Sequence, residues 1–156
     1  YYPKSARTNG WKFELNSTLM EKFWNKRRAS VSTNLLVSLL IIFHLSILTG
    51  LIPYDIVWGG RLKNDAQMYS FESFSILMNA YFLMILLMKN GTVKRRLPLG
   101  LINGSLWMFL VLFAVNTIGN LLAETLFEKF FALLTILFTI NIWILLKKDP
   151  SENKKT

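Results

Sequence analysis

The sequence predicts an all-α integral membrane protein, an up-down four-helix bundle with both termini on the cytoplasmic side. Three observations predict it. Four apolar runs, at about 32–52, 68–88, 97–118 and 127–146, each come close to the roughly 20 residues needed to cross a hydrocarbon core. All Lys and Arg residues except Arg61, Lys63 and Lys129 fall on one alternate set of connections and ends. Positive charge of that kind marks the cytoplasmic face. The connections are short, which makes successive helices antiparallel neighbours.

Residues 1–31 form a basic segment. Thr18 and Glu21 have capping-box spacing, and Leu19, Met20, Phe23 and Trp24 then share one helical face, with Lys22, Asn25, Lys26, Arg27 and Arg28 over much of the rest. The pattern predicts a short amphipathic helix in the cytoplasmic interface, or a solvated helix capping the bundle. No short apolar core followed by small residues marks it as a signal peptide.

The first span, 32–52, is expected to stop at Pro53, which lacks an amide donor and disfavours helix before it. The loop that follows carries the turn signal Gly59-Gly60, with Tyr54 and Trp58 suited to the outer interface. Asn90-Gly91 turns the chain after the second span, and Lys89, Lys94, Arg95 and Arg96 hold that turn in the cytoplasm. Pro98 suits the first turn of the third span. Gly119-Asn120 begins the second outer connection, and Lys147-Lys148 stops the last span before a polar tail, 149–156. In the third span Gly100 and Gly104 form a small-xxx-small pair, expected to pack within the chain, with a dimer face as the alternative. No internal repeat is visible, and four spans are few for an inverted-repeat transporter that does not dimerise.

Composition excludes several classes. The net charge is +9, but the basic residues flank apolar runs. They read as topology determinants and contacts to anionic lipid rather than as a nucleic-acid footprint. Absence of cysteine removes disulfide frameworks, thiolate metal sites and dithiol redox chemistry, and the single histidine, His44, removes a bis-histidine haem within one chain. No metal or cofactor is expected. Phosphate loops, His-Glu-x-x-His and the GxSxG elbow are all missing.

Polar groups inside the spans are therefore the informative residues, since hydrocarbon offers them no water. Glu72 is the sharpest. Ser75 and Asn79 follow at i+3 and i+7 on its face, and a carboxylate there must pair, protonate or reach water. Asn116 and Asn120 share a face at the outer end of the third span. His44 and Ser46 lie in the middle and outer half of the first, and Arg61 could fold back from the loop. Together with Trp58 these residues are the candidate binding set, lining an outward-opening polar pocket. A plainer account has Glu72 snorkelling or pairing with Arg61 to pin the loop. On the same account His44 is a packing residue bonded to a helical carbonyl, and Asn79, Asn103, Asn116 and Asn141 join helices.

The stretch 53–79, PYDIVWGGRLKNDAQMYSFESFSILMN, resembles the central signature of a family of small uncharacterised bacterial integral-membrane proteins. The stretch 116–135, NTIGNLLAETLFEKFFALLT, is similar to that family's second signature; together they cover under a third of the chain. The resemblance implies a bacterial four-helix membrane protein and no particular activity. The basic N-terminal segment is not part of the family pattern.

Three functions fit. The first is a non-catalytic accessory or lipid-binding protein of the inner membrane, acting through its outer loop, Trp58 to Tyr69, and the polar face below. Its partners would be membrane lipids and a protein subunit or second copy. The second is an intramembrane enzyme on a lipid-like molecule, with Glu72 as acid or base and Asn116 and Arg61 orienting substrate. The third is an oligomeric channel with Glu72 in an acidic ring.

Overall fold

A computed structural model describes residues 25–58, 62–122 and 126–147. It contains four long α-helices: α1 (Lys26–Leu48), α2 (Asp65–Lys89), α3 (Leu99–Leu121) and α4 (Leu126–Leu146), with one 3-10 turn at Tyr54–Ile56 between the first two. Each long helix is apolar and long enough to span a membrane. At about 1.5 Å per residue, 21 to 25 residues reach roughly 30–38 Å. The outward faces fit that setting: Leu35, Leu39, Ile42, Val111, Val115, Phe130 and Leu133 are all exposed. Such a continuous apolar surface belongs against lipid rather than water.

The boundaries of α1 differ from the expected 32–52. The helix begins at Lys26 because the Asn25 side chain accepts a hydrogen bond from the Arg28 amide (2.9 Å), a cap that satisfies an otherwise orphaned donor. Lys26, Arg27 and Arg28 thus form the first turn of α1 and not the polar face of a separate helix. The rest of the proposed interfacial helix, in residues 1–24, lies outside the described residues, as does the tail 148–156. At the other end α1 stops at Thr49, before Pro53 is reached. Gly50 follows at φ +77, and its amide bonds back to the Ile47 carbonyl. That left-handed step suits glycine.

α2 starts three residues before the expected position. Asn64 caps it by accepting from the Gln67 amide, while the Gln67 side chain accepts from the Lys63 amide (each 2.9 Å). Asn90 and Gly91, at φ +74, end it in the same manner as α1.

Each helix packs on its chain neighbours and α4 closes back onto α1. A side-chain hydrogen bond marks every one of the four seams. His44 meets Glu72 between α1 and α2, and Tyr81 meets Ser105 between α2 and α3. Thr117 donates to Thr135 between α3 and α4, and Asn141 donates to Ser32 between α4 and α1. Late residues His44, Tyr81 and Asn141 meet early residues Glu72, Ser105 and Ser32, so α1–α2, α2–α3 and α4–α1 run antiparallel. Asn103 and Asn141 do join helices, Asn103 by accepting from the Lys89 ammonium (2.7 Å).

Two apolar clusters fill the bundle. The larger is built on Phe82, Phe109, Phe113 and Phe138, with ring centroids 4.4 Å apart for Phe82–Phe109 and 4.6 Å for Phe113–Phe138. The smaller, at the end bearing the 49–64 loop, holds Ile47, Val57, Leu62 and Met68. Gly100 and Gly104 enter neither. Both are exposed, and a Cβ on either would meet nothing within 4 Å. The expectation that they pack within the chain is therefore corrected: the buried stripe of α3 runs through Ile102, Leu106, Phe109, Phe113 and Thr117, and the glycines lie away from it.

Candidate functional site: a buried carboxylate held by an imidazole and an indole

Glu72 is 0% exposed. It lies seven residues into α2, about 10 Å along the axis from the helix start, between Met68 of the small cluster and Phe82 of the large one. A carboxyl group this deep requires partners, since burying it unpaired is costly. It has two, from two other segments. His44 Nδ1 lies 2.6 Å from Oε2, and the Trp58 indole Nε1–H donates to Oε1 at 2.7 Å. Between Nδ1 and Oε2 one proton is shared: either imidazole N–H onto carboxylate or carboxyl O–H onto imidazole. The indole can only donate.

Each partner is placed by its own local structure. His44 stands on the inward stripe of α1 with Ala29, Thr33, Val37 and Ile47, at the spacing of successive helical turns. Its side chain is 12% exposed, and among the described residues no hydrogen bond engages its Nε2. Phe43 packs edge-on to the imidazole and touches Phe131 of α4, with centroids 5.8 and 5.9 Å apart. Trp58 arrives from the loop with φ +54, a left-handed backbone for a bulky residue. Such a conformation costs on the order of 1–3 kcal/mol and persists only where its surroundings fix it. Here two contacts hold it, the bond to Glu72 and a T-shaped contact with Phe71 at 5.2 Å, and the preceding Val57 is anchored in the small cluster.

The other members of the expected set fall elsewhere. Ser75 is buried next to Glu72 on α2, but Asn79 donates to the Ser75 carbonyl (2.8 Å) and so is satisfied within its own helix. Ser46 likewise bonds back to the Ile42 carbonyl. Asn116 is exposed on the outside of α3 and Asn120 is half-buried at its end, with no hydrogen bond from either to Glu72. The expected outward-opening pocket lined by Glu72 and Asn116 gives way to a Glu72–His44–Trp58 cluster at the α1–α2 seam. Arg61 lies outside the described residues. His44, on the plainer account a residue bonded to a helical carbonyl, bonds the carboxyl group instead. Among the described residues no group of three His, Asp or Glu side chains could hold a metal ion.

Above the cluster, at the loop end, a cleft of about 370 Å³ opens between the end of α1, the loop and the start of α2. Ile47 and Met68 form part of its lining, together with Tyr54, Asp55, Asp65 and Tyr69. Ile47 is one helical turn above His44 and Met68 one turn above Glu72, so cleft and cluster are stacked along the same seam. Hydrogen bonding toward the Asp65 carboxylate, with some burial and the nearby charges of Asp65 and Asp55, pushes the Tyr54 phenol above its usual ionisation range. Sequence reasoning missed both the cleft and Asp65. The Asn-x-x-Gln spacing at Asn64 and Gln67 was the signal that would have placed the helix start, and with it Asp65 on the rim.

Fold and site together define a multi-pass four-helix membrane protein in which a buried Glu72 is held by His44 and Trp58 beneath a loop. Compared with protein-family models, curated proteins and solved structures, the chain finds no match in any of them.

Proposed function

We propose that this is a non-catalytic inner-membrane protein, with both termini cytoplasmic, that acts as an accessory or hydrophobic-ligand-binding subunit through its 49–64 loop. The observation that carries the reading is the Trp58–Glu72 bond. A buried carboxyl group deep in α2 holds a loop residue in a strained backbone conformation, which supports a preformed 49–58 segment and cleft beside it. Preformed surfaces bind better because less ordering is left to do on association. The basic residues at the opposite end, Arg27, Lys94, Arg95, Arg96 and Lys147 among them, support the orientation. The resemblance of the 53–79 and 116–135 stretches supports a bacterial inner membrane as the setting.

Catalysis by Glu72 is less well supported. Both its oxygens are engaged and it is fully enclosed, so it is not placed to meet substrate. In an enzyme the atom left open would be His44 Nε2, with Glu72 positioning the imidazole. Enclosure also weighs against an acidic ring shared between copies, because such a ring must face a pore.

The test compares wild type with Trp58→Phe, both extracted in native lipid and analysed by native mass spectrometry. The wild type should retain a stoichiometric lipid, small molecule or protein. The variant, which keeps the aromatic ring and loses the indole N–H, should lose it while its helical content stays unchanged. Recovery of the wild type as an empty monomer would overturn the reading. A reporter fused after Thr156 and found active outside the cell would reverse the orientation.

A further inference from the structure

We propose that the cleft at the loop end binds an organic cation, an ammonium group carried on an apolar body; this deepens the binding-subunit reading and rests on it. The lining is divided by chemistry. Ile47 and Met68, 1% and 5% exposed, give an apolar base continuous with the small core cluster. Asp55 and Asp65, both exposed, supply two carboxylates at the rim, with Tyr54 and Tyr69 beside them. Among the described residues no basic side chain lines the cleft; Lys63, on the same segment, is exposed and not part of the wall.

Charge complementarity selects the ligand. An anion would face two carboxylates at once. A neutral apolar molecule would cover the base and gain nothing from the rim charges. A cation with an apolar portion satisfies both, and tyrosine faces add attraction to an ammonium group. The two carboxylates also act on a common point, since both push the Tyr54 phenol above its usual ionisation range. The volume, about 370 Å³, lies within the range of small-molecule sites. Because Trp58 is fixed to Glu72 one turn below, the loop side of the cleft is in place before a ligand arrives.

An ammonium of this kind could be a free amphipathic amine or a phosphatidylethanolamine headgroup, and the experiment separates them. The full chain in an uncharged maltoside micelle is titrated with benzyltrimethylammonium, benzenesulfonate and neopentylbenzene, the last a neutral shape match for the cation. Protection of the 49–58 and 65–69 amides from hydrogen exchange is followed. The expected result is protection by the cation alone, weakened about tenfold or more in Asp55→Asn/Asp65→Asn. Should the double variant fold poorly, Asp55→Asn alone should weaken binding by roughly threefold. Dihexanoylphosphatidylethanolamine that displaces the cation identifies a lipid headgroup as the natural source; failure to displace it identifies a soluble amine.

Equal protection by neopentylbenzene with no effect of the asparagine variants overturns the cation and leaves the binding-subunit reading standing. Protection by benzenesulfonate also overturns it. If no probe protects the loop, the cation proposal fails, while the native-lipid comparison of wild type with Trp58→Phe still decides the broader reading.

Discussion

The two halves of the bundle solve the same problem in different ways. Between α3 and α4 the polar groups are ones their own helices can satisfy: Thr117 Oγ1 bonds back to the Phe113 carbonyl at 2.8 Å as well as to Thr135, and Thr135 lies within bonding distance of the Phe131 and Ala132 carbonyls. The rest of that seam is stacked phenylalanine. Between α1 and α2 the polar group is a carboxyl that its own helix does not satisfy, and both of its partners come from elsewhere in the chain. A hydroxyl at a seam is optional there; Glu72 is obligatory. The difference teaches that in the first half the site and the fold are the same structure, whereas the second half is scaffold.

Removing Glu72 should therefore have the largest effect. Glu72→Ala deprives the half-buried His44 and the partly exposed Trp58 indole of their acceptor at a fully buried position, and should cost about 3–5 kcal/mol, the range seen when one partner of a buried pair is deleted. Steric trapping or denaturant titration in bicelles measures the loss, and hydrogen exchange should show the 49–58 amides released first. Phe138→Ala should come next, near or below the low end of the roughly 3–5 kcal/mol of core truncations. In lipid the separated helices already contact hydrocarbon, so packing alone is lost. That variant should leave loop protection intact. Were Phe138→Ala to free the loop and Glu72→Ala to spare it, the division between the halves would be wrong.

How much of this was legible in the sequence follows from the same division. The four helices could be read because a span is a matter of length and apolar composition, which need no tertiary knowledge. Glu72 and His44 could be singled out individually, since a charge or an imidazole in an apolar run is conspicuous by itself. Their pairing could not, because it depends on the rotation of α1 against α2. The role of Trp58 was hidden further: a tryptophan in a loop between spans is expected at the headgroup level, and nothing local says that its backbone turns left-handed to reach a carboxyl group in α2. Asn116 misled for the opposite reason. Its polarity predicted an inward direction, yet the inward face of α3 is set by Phe109, Phe113 and Thr117, and Asn116 falls off it. The start of α1 was missed because three basic residues were assigned to the interface, when one Asn25 cap carries them into the helix.

On the scaffold side, Thr117→Val tests the claim that the hydroxyl is optional. Its loss removes one interhelical bond and leaves Thr135 with carbonyls of its own helix, so the cost should be about 0.6 kcal/mol, the average for such bonds in a bilayer. A loss several times larger, measured in the same bicelle titration, would mean that the α3–α4 seam depends on its polar pair as the α1–α2 seam does.

The smallest effect belongs to the rim of the cleft and appears only in alkali. The neighbouring Asp65 carboxylate favours the phenol's O–H, and the charges of Asp65 and Asp55 disfavour the phenolate, so the folded protein holds this proton more tightly than the unfolded chain, where tyrosine ionises near 10.0. The sign follows from proton linkage. The contribution to stability is complete below that value and declines as pH rises from it through the higher folded value, because there the unfolded chain has released a proton that the folded one retains. Wild type should thus lose stability relative to Tyr54→Phe above about pH 10, and the two should run parallel below it. Tyrosinate absorbance, taken as the difference between wild type and variant, locates the folded titration directly. A Tyr54 that titrates at or below its ordinary value would separate the phenol from Asp65 and remove the evidence that the rim of the cleft is electronegative. Because α3 and α4 contain no tyrosine, the contrast between the halves predicts that no such alkaline step arises on the scaffold side.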